Sequence, residues 1–477
     1  MNILFLNPPF FKHYSRTSRS PAVTKGGTLY YPIWLAYAAG IAERSGHRIK
    51  LFDAPAKGTS LLDIFRLLGD FIPDLTVIDT STPSIYNDIN VASEIKDRFP
   101  KTFIILVGTH PSALPIETLN LSNKLDAVAI GEYDYTIKDL ADNMALDKVK
   151  GIYYKKNGEI FQNEIREKIS DLDHIPFVSS VYKKYLNYKD YFFAAANYPI
   201  IMIITGRGCP YRCFFCVYPQ VFHGRKYRTR SPENVVDEME YIIANFSDIK
   251  EIGIEDDCFT GNPKRVSEIC SLIISRKIKI KWYCNVRGNL EYELLSHMKA
   301  AGCRLVTVGF ESSCQHILNN MNKGEKVERY YSFIKNAKKA GILVHGCIMV
   351  GNPGDTKETL RLGYEFAKKI NCDSMQFYPL YVYPGTEAYN WAERNSYLKT
   401  KDFSKWLTKD GSHNCVLNTP ALSSDEMLYL CDYYLKKYHL RPKYIASKLL
   451  QAILNPSEGY RSLKSAKTFF LKLIQDK

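Results

Sequence analysis

The chain has 477 residues, of which 45% are hydrophobic and 24% are charged, with a formal net charge of +14. This length exceeds that of one ordinary core, and this composition excludes an intrinsically disordered chain. No apolar run reaches the ~20 residues that a membrane-spanning helix needs, and MNILFLNPPFF lacks the basic leader of a secretory signal, so we expect a cytoplasmic protein.

Residues 1–150 alternate strand-like and helix-like segments. Five strands separated by helices predict a parallel α/β sheet of the Rossmann-like, flavodoxin-like type, whose ligands bind at the carboxyl ends of the strands. No GxGxxG follows the first strand, which counts against a dinucleotide. The alternative is a sheet that binds nothing. The candidate ligand residues at the strand ends are Asn7, Thr80, Ser81, Thr82, Gly108, Thr109, Gly131 and Glu132.

Residues 151–195 interrupt this alternation. GIYYKKNGEIF predicts a small hairpin within an irregular connection, which we interpret as an interdomain linker. Over residues 196–400 the alternation resumes with six units, which predict a partial (β/α)6 barrel of the TIM type. The active site of such a barrel lies at the carboxyl ends of its strands. Residues 401–477 are expected to form a basic, helical C-terminal region.

Three cysteines follow the first barrel strand, Cys209, Cys213 and Cys216 in GCPYRCFFCVYP. A structural zinc site is usually built from two separated ligand pairs, and no fourth Cys or His follows at a pairing distance. Three thiolates on one loop can instead hold three irons of a [4Fe-4S] cluster and leave the fourth iron open. The other nine of the twelve cysteines are scattered among apolar residues, which is typical of small buried side chains.

The CxxxCxxC spacing, with Phe215 before the last cysteine, resembles the signature of the radical S-adenosylmethionine (SAM) superfamily. The resemblance implies that SAM binds the open iron, and that the cluster, reduced by a flavodoxin- or ferredoxin-type donor, cleaves it to methionine and a 5′-deoxyadenosyl radical. GIEDDCFT stands where many members carry a GGE motif and departs from it. Arg287 could instead form a surface ion pair, and GNPGDT could be a plain turn. Residues at the places of the family's SAM-binding motifs are Asp256, Asp257, Arg287, Glu311, Ser312, Gly351 and Pro353.

The amino-terminal half resembles the cobalamin-binding domain of a large branch of this superfamily, through LNPP, YPIWLAYAAGIAERSGH, VGTHPSA and AIGEYDYTIKDL. No DxHxxG motif is present, so the resemblance implies cobalamin held without a histidine ligand, and His110 is better interpreted as part of a strand end. An empty, degenerate domain is the alternative. Within this branch the chain is similar to the hopanoid-biosynthesis-associated radical SAM proteins, through STPSIYND, FVSSVYKKYL and HGCIMVGNPGDT.

These resemblances imply an enzyme that abstracts hydrogen from an unactivated carbon, with cobalamin as methyl carrier or radical partner. Methylation, rearrangement, cyclisation and coupling stay open, and so does the substrate, which could be a small molecule, a lipid or a lipid-linked sugar. A rival from another class is a binding protein that senses cobalamin or redox state.

The positive charge invites a nucleic-acid interpretation, but the chain has no recognisable nucleic-acid module and its lysines are spread widely. The densest basic run, residues 436–477, is interleaved with the apolar pieces YIASKLLQAIL and AKTFFLKLI. This pattern predicts either amphipathic helices on an anionic membrane surface or a packed helical cap with a solvated basic face.

Overall fold

The computed structural model describes residues 1–454, 458–459 and 461. Its first sheet has seven strands in the order β2-β1-β3-β4-β5-β6-β7. Strands β1 to β5 are parallel, and β6 and β7 continue the sheet in antiparallel pairing. The strands are β1 (Asn2–Asn7), β2 (Arg48–Asp53), β3 (Leu75–Thr80), β4 (Phe103–Gly108), β5 (Ala127–Ala129), β6 (Ile152–Lys156) and β7 (Glu159–Gln162).

The sheet is covered by helices because its central strands are apolar on both faces. All residues of β3 and all but the first of β1 and β4 are buried, as is typical of a parallel sheet between helical layers. The predicted hairpin forms, but it pairs with β5, so the sheet extends past residue 150 into the expected linker. The helices of this half are α1 (Ile33–Arg44), α2 (Ala54–Lys57), α3 (Leu61–Leu68), α4 (Ile85–Arg98), α5 (Thr109–Ala113), α6 (Pro115–Asn120) and α7 (Asp134–Ala141).

The second sheet has six parallel strands in the order β15-β14-β13-β12-β11-β8. Strands β8 and β15 are its edges, which confirms the predicted partial barrel. Two short strands that the sequence did not predict, β9 and β10, pair antiparallel beside it. The strands are β8 (Ile200–Ile203), β9 (Gly206–Arg207), β10 (Arg228–Thr229), β11 (Glu251–Ile254), β12 (Lys281–Val286), β13 (Cys303–Glu311), β14 (Leu343–Val350) and β15 (Ser374–Pro379).

Helices cover the outer face of the barrel, where Phe310 of β13 packs edge-on against Tyr330 and Phe366. The expected helical C-terminal region begins later than residue 401, since 407–423 contain turns and isolated bridges and helix resumes at Ser424. No described helix has the length and apolarity to cross a bilayer. The helices are α8 (Val178–Tyr185), α9 (Pro232–Asn245), α10 (Pro263–Ser275), α11 (Tyr292–Ala300), α12 (Gln315–Asn320), α13 (Val327–Ala340), α14 (Lys357–Ile370), α15 (Glu387–Arg394), α16 (Ser424–His439) and α17 (Pro442–Leu454).

Two buried arginines of the barrel half are paired with two acids of the amino-terminal half. Arg207 donates to both oxygens of Asp134, at 2.8 and 3.1 Å, and Arg228 donates to both oxygens of Glu132. The four side chains are at most 6% exposed. Arg207 and Arg228 also face each other across the β9–β10 pair. We call these four residues the ion clamp, because they hold both ends of the loop 208–227 against the first sheet.

The ion clamp should contribute strongly to stability. Arg228→Met leaves the Glu132 carboxylate buried without its bidentate partner, and breaking such a pair typically costs about 3–5 kcal/mol. We expect a large fall in the thermal unfolding midpoint. Arg276→Met, which removes a solvent-facing pair to Asp237, is the matched control and should cost only about 0–1 kcal/mol. Equal shifts for the two variants would contradict a special role of the clamp.

Candidate active site

The loop 208–227, which we call the cluster loop, carries the three predicted cysteines between β9 and β10. All three thiols are free; Cys213 is buried, and Cys209 and Cys216 are half-buried. Phe214 N–H donates to Met321 O at 3.0 Å, which ties the loop to the turn after α12. Gly208 has φ +88°, and a Cβ there would lie 2.3 Å from Lys226 O, so only glycine fits at the loop entrance.

The three thiols differ in their surroundings. Burial raises the pKa of Cys213 and Cys216, whereas a hydrogen bond from the Cys258 thiol lowers the pKa of Cys209 to about 7. Cys258 is buried, as expected for a scattered cysteine, but its contact with Cys209 was not predicted. Across the described residues no three potential metal ligands converge on one point. Three free thiols on one loop fit a cluster with one open iron.

Asp257 follows β11 and supports the entrance of the cluster loop. Its carboxylate accepts from Gly208 N–H at 3.1 Å and from His223 Nδ1 at 2.7 Å, and the Arg19 guanidinium lies 3.8 Å away. Burial acts to raise the pKa of Asp257, but His223 and Arg19 outweigh it and hold that pKa below its ordinary value. The carboxylate is therefore ionised at neutral pH. Its predicted contact with the SAM amino group stays a prediction.

Asp256, by contrast, has both oxygens engaged within the chain. The side chain is fully buried and accepts from Thr205 N–H and Oγ1, each at 2.6 Å, and from Tyr227 OH at 3.0 Å. The structure thus gives Asp256 a structural set of partners, and its predicted role in binding SAM stays a prediction. Glu255, which was not predicted as a site residue, lies beside it and accepts from Tyr283 OH at 2.5 Å.

Arg287 lies against the cluster loop, with its guanidinium 3.6 Å from the centre of the Tyr211 ring. Its side chain is only 11% exposed and lies 3.4 Å from Glu325, so the alternative of a surface pair is wrong. Glu311 ends β13 with φ +63°, lies 3.2 Å from the Lys323 ammonium, and accepts from Tyr378 OH at 2.8 Å. Both residues therefore lie at the carboxyl end of the barrel.

The remaining predicted SAM residues lie at the same end of the barrel. Ser312 follows β13, and Gly351 and Pro353 follow β14. Asp355 accepts from Gly351 N–H at 3.1 Å, so GNPGDT does form a hydrogen-bonded turn. Phe215 is half-buried and meets Phe214 edge-on. These residues therefore follow strands of the barrel at their carboxyl ends, and their roles in binding SAM stay predictions.

Four predicted residues of the first sheet have their side chains engaged in buried networks. Arg16, whose side chain is fully buried, donates to Asn7 Oδ1 at 2.7 Å and pairs with Asp88, which also accepts from Thr80 Oγ1. Ser81 Oγ lies 2.9 Å from Tyr14 OH, and Thr82 Oγ1 lies 3.1 Å from His110 Nδ1. The structure brings these residues to one edge of the sheet, but their polar side-chain atoms already have partners there.

Two of the predicted glycines have a backbone conformation that favours glycine. A Cβ on Gly108 would lie 2.3 Å from Thr80 O, and one on Gly131 would lie 2.4 Å from the Lys168 ammonium. Both glycines also have positive φ angles. A bulky change at Gly108 would therefore disturb β3 directly, and could not report on the volume of a ligand. Thr109, the first residue of α5, is half-buried, and Glu132 belongs to the ion clamp.

Buried polar atoms at this edge fit a large amide-bearing ligand such as cobalamin. Among the described residues, Asp79 Oδ2 and Tyr133 OH are buried without a hydrogen-bond partner. Burial raises the pKa of Asp79 to about 7, so the carboxyl group can accept or donate near neutral pH. Corrin side-chain amides offer complementary groups. Neither residue was predicted, because nothing in their sequence context separates them from ordinary buried strand residues.

His110 is enclosed at the same edge. Its ring meets Phe403 edge-on at 5.0 Å, and burial lowers its pKa to about 3, so it is neutral. Phe403 belongs to a short helix, Phe403–Trp406, by which the C-terminal part of the chain returns to cover the first sheet. This environment agrees with His110 as a packed side chain.

A narrow cavity joins the two halves next to the cluster loop, with a volume of about 20 Å³. Arg19 lies at its wall and donates to Glu255 O and Asp256 O, at 3.2 and 2.8 Å. The sequence does not identify Arg19 as a site residue, since only the folded chain places it beside β11. The lining residues are Thr17, Ser18, Arg19, Tyr30, Ile33, Trp34, Ile204, Tyr218, Glu255 and Asp257.

The chain matches two known families. The model of the radical SAM superfamily matches residues 203–367, and that of the B12 binding domain matches residues 19–141. An uncharacterized methyltransferase of Pyrococcus horikoshii is 30% identical, covering 94% of this chain and 95% of its own.

More distant relatives have named activities. The anaerobic magnesium-protoporphyrin IX monomethyl ester cyclase of Cereibacter sphaeroides is 27% identical, covering 85% of this chain and 66% of its own. Hopanoid C-3 methylase of Methylococcus capsulatus is 24% identical, covering 78% and 70%. The structure of TsrM, a radical SAM methyltransferase from Kitasatospora setae, has a TM-score of 0.71 at 16% identity, covering 93% and 90%, which shows a shared fold.

Each cysteine of the cluster loop should be indispensable for iron binding. Cys209→Ala, Cys213→Ala and Cys216→Ala should each abolish iron loading, because the loop offers no spare thiolate. Iron and sulfide analysis with the absorbance of the reconstituted proteins measures this. Cys258→Ala is the matched control, since that thiol contacts Cys209 from outside the loop, and it should retain iron. Full iron content in the Cys213 variant would overturn the assignment.

His110 should not coordinate cobalt. His110→Ala should leave the electron paramagnetic resonance spectrum of bound cob(II)alamin unchanged, because the ring is packed between Phe403 and Thr82. Loss of nitrogen hyperfine splitting in the variant would identify His110 as an axial ligand. His413→Ala, which removes another buried neutral histidine, is the control for general effects on the fold.

Proposed function

Since this chain belongs to the radical SAM enzymes that carry a B12-binding domain, we propose that it is a cobalamin-dependent methyltransferase that modifies an unactivated carbon. The observation that carries the proposal is the shared cavity. Residues 17–34 of the amino-terminal half and the carboxyl ends of β8 and β11 line one space beside the cluster loop. The cavity itself is about the size of one water molecule, and it marks the boundary across which a methyl carrier in the first half and a hydrogen-abstracting group in the barrel would face each other.

The family assignment makes the chain an enzyme, which excludes a sensor of cobalamin or redox state as its main role. Its cofactors are a [4Fe-4S] cluster, SAM and cobalamin. When bound, they supply hydrogen abstraction from the substrate and a transferable methyl group. The chain's own residues must then hold the substrate carbon between them and keep water out of the site.

Arg19 and Asp257 would hold the parts of the site in fixed positions relative to one another. Arg19 bonds the backbone after β11 from the side of the first sheet, and Asp257 fixes the residue before Cys209. The first contact joins the amino-terminal half to the barrel, and the second joins the residues after β11 to the cluster loop. We infer that they fix the distance between the cluster loop and the cavity wall, and that they act as positioning residues.

The named relatives favour a substrate with an apolar carbon skeleton. The cavity wall itself is mixed, because Ile33, Ile204 and Trp34 lie beside the charged side chains of Arg19, Glu255 and Asp257. Two relatives, the porphyrin cyclase and the hopanoid methylase, have names that refer to large, mostly apolar ring systems. We infer an apolar small molecule, a lipid or a lipid-linked sugar as the substrate, and a flavodoxin- or ferredoxin-type protein as the electron donor.

Anaerobic reconstitution with iron, sulfide and hydroxocobalamin tests the proposal. After desalting, the protein should retain corrinoid, and with SAM and dithionite it should form 5′-deoxyadenosine. With deuteromethyl-SAM and a lipid extract, a product should gain the labelled methyl group. S-adenosylhomocysteine should accumulate in equal amount to 5′-deoxyadenosine, because methylation consumes a second SAM. Cys213→Ala is the matched inactive control.

Other outcomes would replace the proposal. Formation of 5′-deoxyadenosine with a converted product, but without S-adenosylhomocysteine, would indicate cyclisation or rearrangement, as in the relative named a cyclase. Failure of cluster-loaded protein to retain corrinoid would indicate an empty amino-terminal domain. No 5′-deoxyadenosine from loaded protein would contradict radical chemistry of this type.

A further inference from the structure

Helix α17 exposes its apolar side and turns its polar side inward. None of its residues is buried. Its exposed apolar side chains are Ile445 at 44%, Leu449 at 62%, Leu450 at 57%, Ile453 at 77% and Leu454 at 76%. They follow helical spacing on one side, where a helix of a folded domain normally faces the core. We call this side the α17 apolar face.

The polar residues of α17 attach it to the barrel. Tyr444 OH donates to Asp373 O at 2.9 Å, and Lys448 Nζ lies 3.3 Å from Asp373 Oδ1. Asp373 in turn accepts from Val344 N–H, at the amino end of β14. These contacts fix which side of the helix points outward. They also place α17 at the end of the barrel opposite to the cluster loop.

The stretch of chain that contains α17 is rich in cations. Between residues 433 and 454 there are five cations and no acid. Lys437 and Lys443 are exposed, and Leu440 between them is 48% exposed. The cations are Lys436, Lys437, Arg441, Lys443 and Lys448.

We propose that the α17 apolar face binds the surface of an anionic lipid bilayer and holds the enzyme there as a peripheral membrane protein. Large aliphatic side chains can enter the acyl boundary while flanking lysines contact lipid phosphates. A second copy of the chain fits less well, because it would bring the same cations against one another. This inference does not depend on the proposed reaction, since binding requires neither substrate nor turnover.

The sequence left two alternatives for the C-terminal region, membrane-surface helices and a packed helical cap with a solvated basic face. The described part of α17 differs from such a cap, because its apolar face is not buried. Its lysine at position 448 points inward and its leucines point outward. The apolar piece AKTFFLKLI lies outside the described residues.

Flotation of the full-length protein with lipid vesicles tests the proposal. Binding should be strong to phosphatidylcholine vesicles that contain phosphatidylglycerol and should weaken at high salt. The double variant Leu449→Glu/Ile453→Glu should bind at least tenfold more weakly. Lys443→Gln should weaken binding to the anionic vesicles about fivefold, the usual effect of one cation near such a surface. Leu62→Glu/Leu67→Glu on α3, at side chains of similar exposure, is the matched control and should bind like the unchanged protein.

Two further measurements keep the outcomes separate. Thermal unfolding of the double variant should match that of the unchanged protein, because the substituted side chains are exposed. A large fall in its unfolding midpoint, with no flotation of the unchanged protein, would show that the face is covered within the chain. Dimers that the double variant abolishes, again without flotation, would assign the face to a second copy. Either result overturns the proposal.

Discussion

The ion clamp is the interaction on which the arrangement of this enzyme depends. A cluster loop alone could be held by the barrel, but the proposed methyl transfer requires a fixed distance between this loop and the B12-binding domain. Arg207 and Arg228 mark the two ends of the cluster loop, and both are paired with acids that follow β5 of the first sheet. Arg207 also lies over the rings of Trp34 and Tyr37, which completes its enclosure. One set of buried charges therefore fixes the loop and the domain contact together.

The sequence predicted the parts that are local in the chain. Alternating strand and helix patterns predicted both parallel sheets and all six barrel strands, since strands such as β1, β4 and β8 are short apolar runs between helical stretches. The cysteine spacing placed the cluster loop. The hairpin was also predicted, because it is local in the chain. Its pairing with β5 was not predicted, because the sequence of an edge strand does not indicate which strand it pairs with.

What the sequence could not show was which polar residues face a ligand and which face each other. Glu132 and Asp256 stand at strand ends, where ligand contacts are common, yet they hold Arg228 and Thr205. Arg19 and His223 were not predicted as site residues, because the residues that they contact lie far away in the chain. A lone histidine in the same loop as three cysteines was the one signal that could have identified His223. Buried hydrogen-bond partners are set by tertiary packing, so strand-end position alone cannot assign them.

The ion clamp also limits how this protein could be recombined. Its acids and its arginines lie in different domains, more than seventy positions apart in the chain. A chimera that takes one domain from a relative with other residues at these positions would bury unmatched charges at the junction. Each domain thus has a fold of its own, but neither can be replaced independently of the other. Substitutions at the acids would have to be accompanied by substitutions at the arginines.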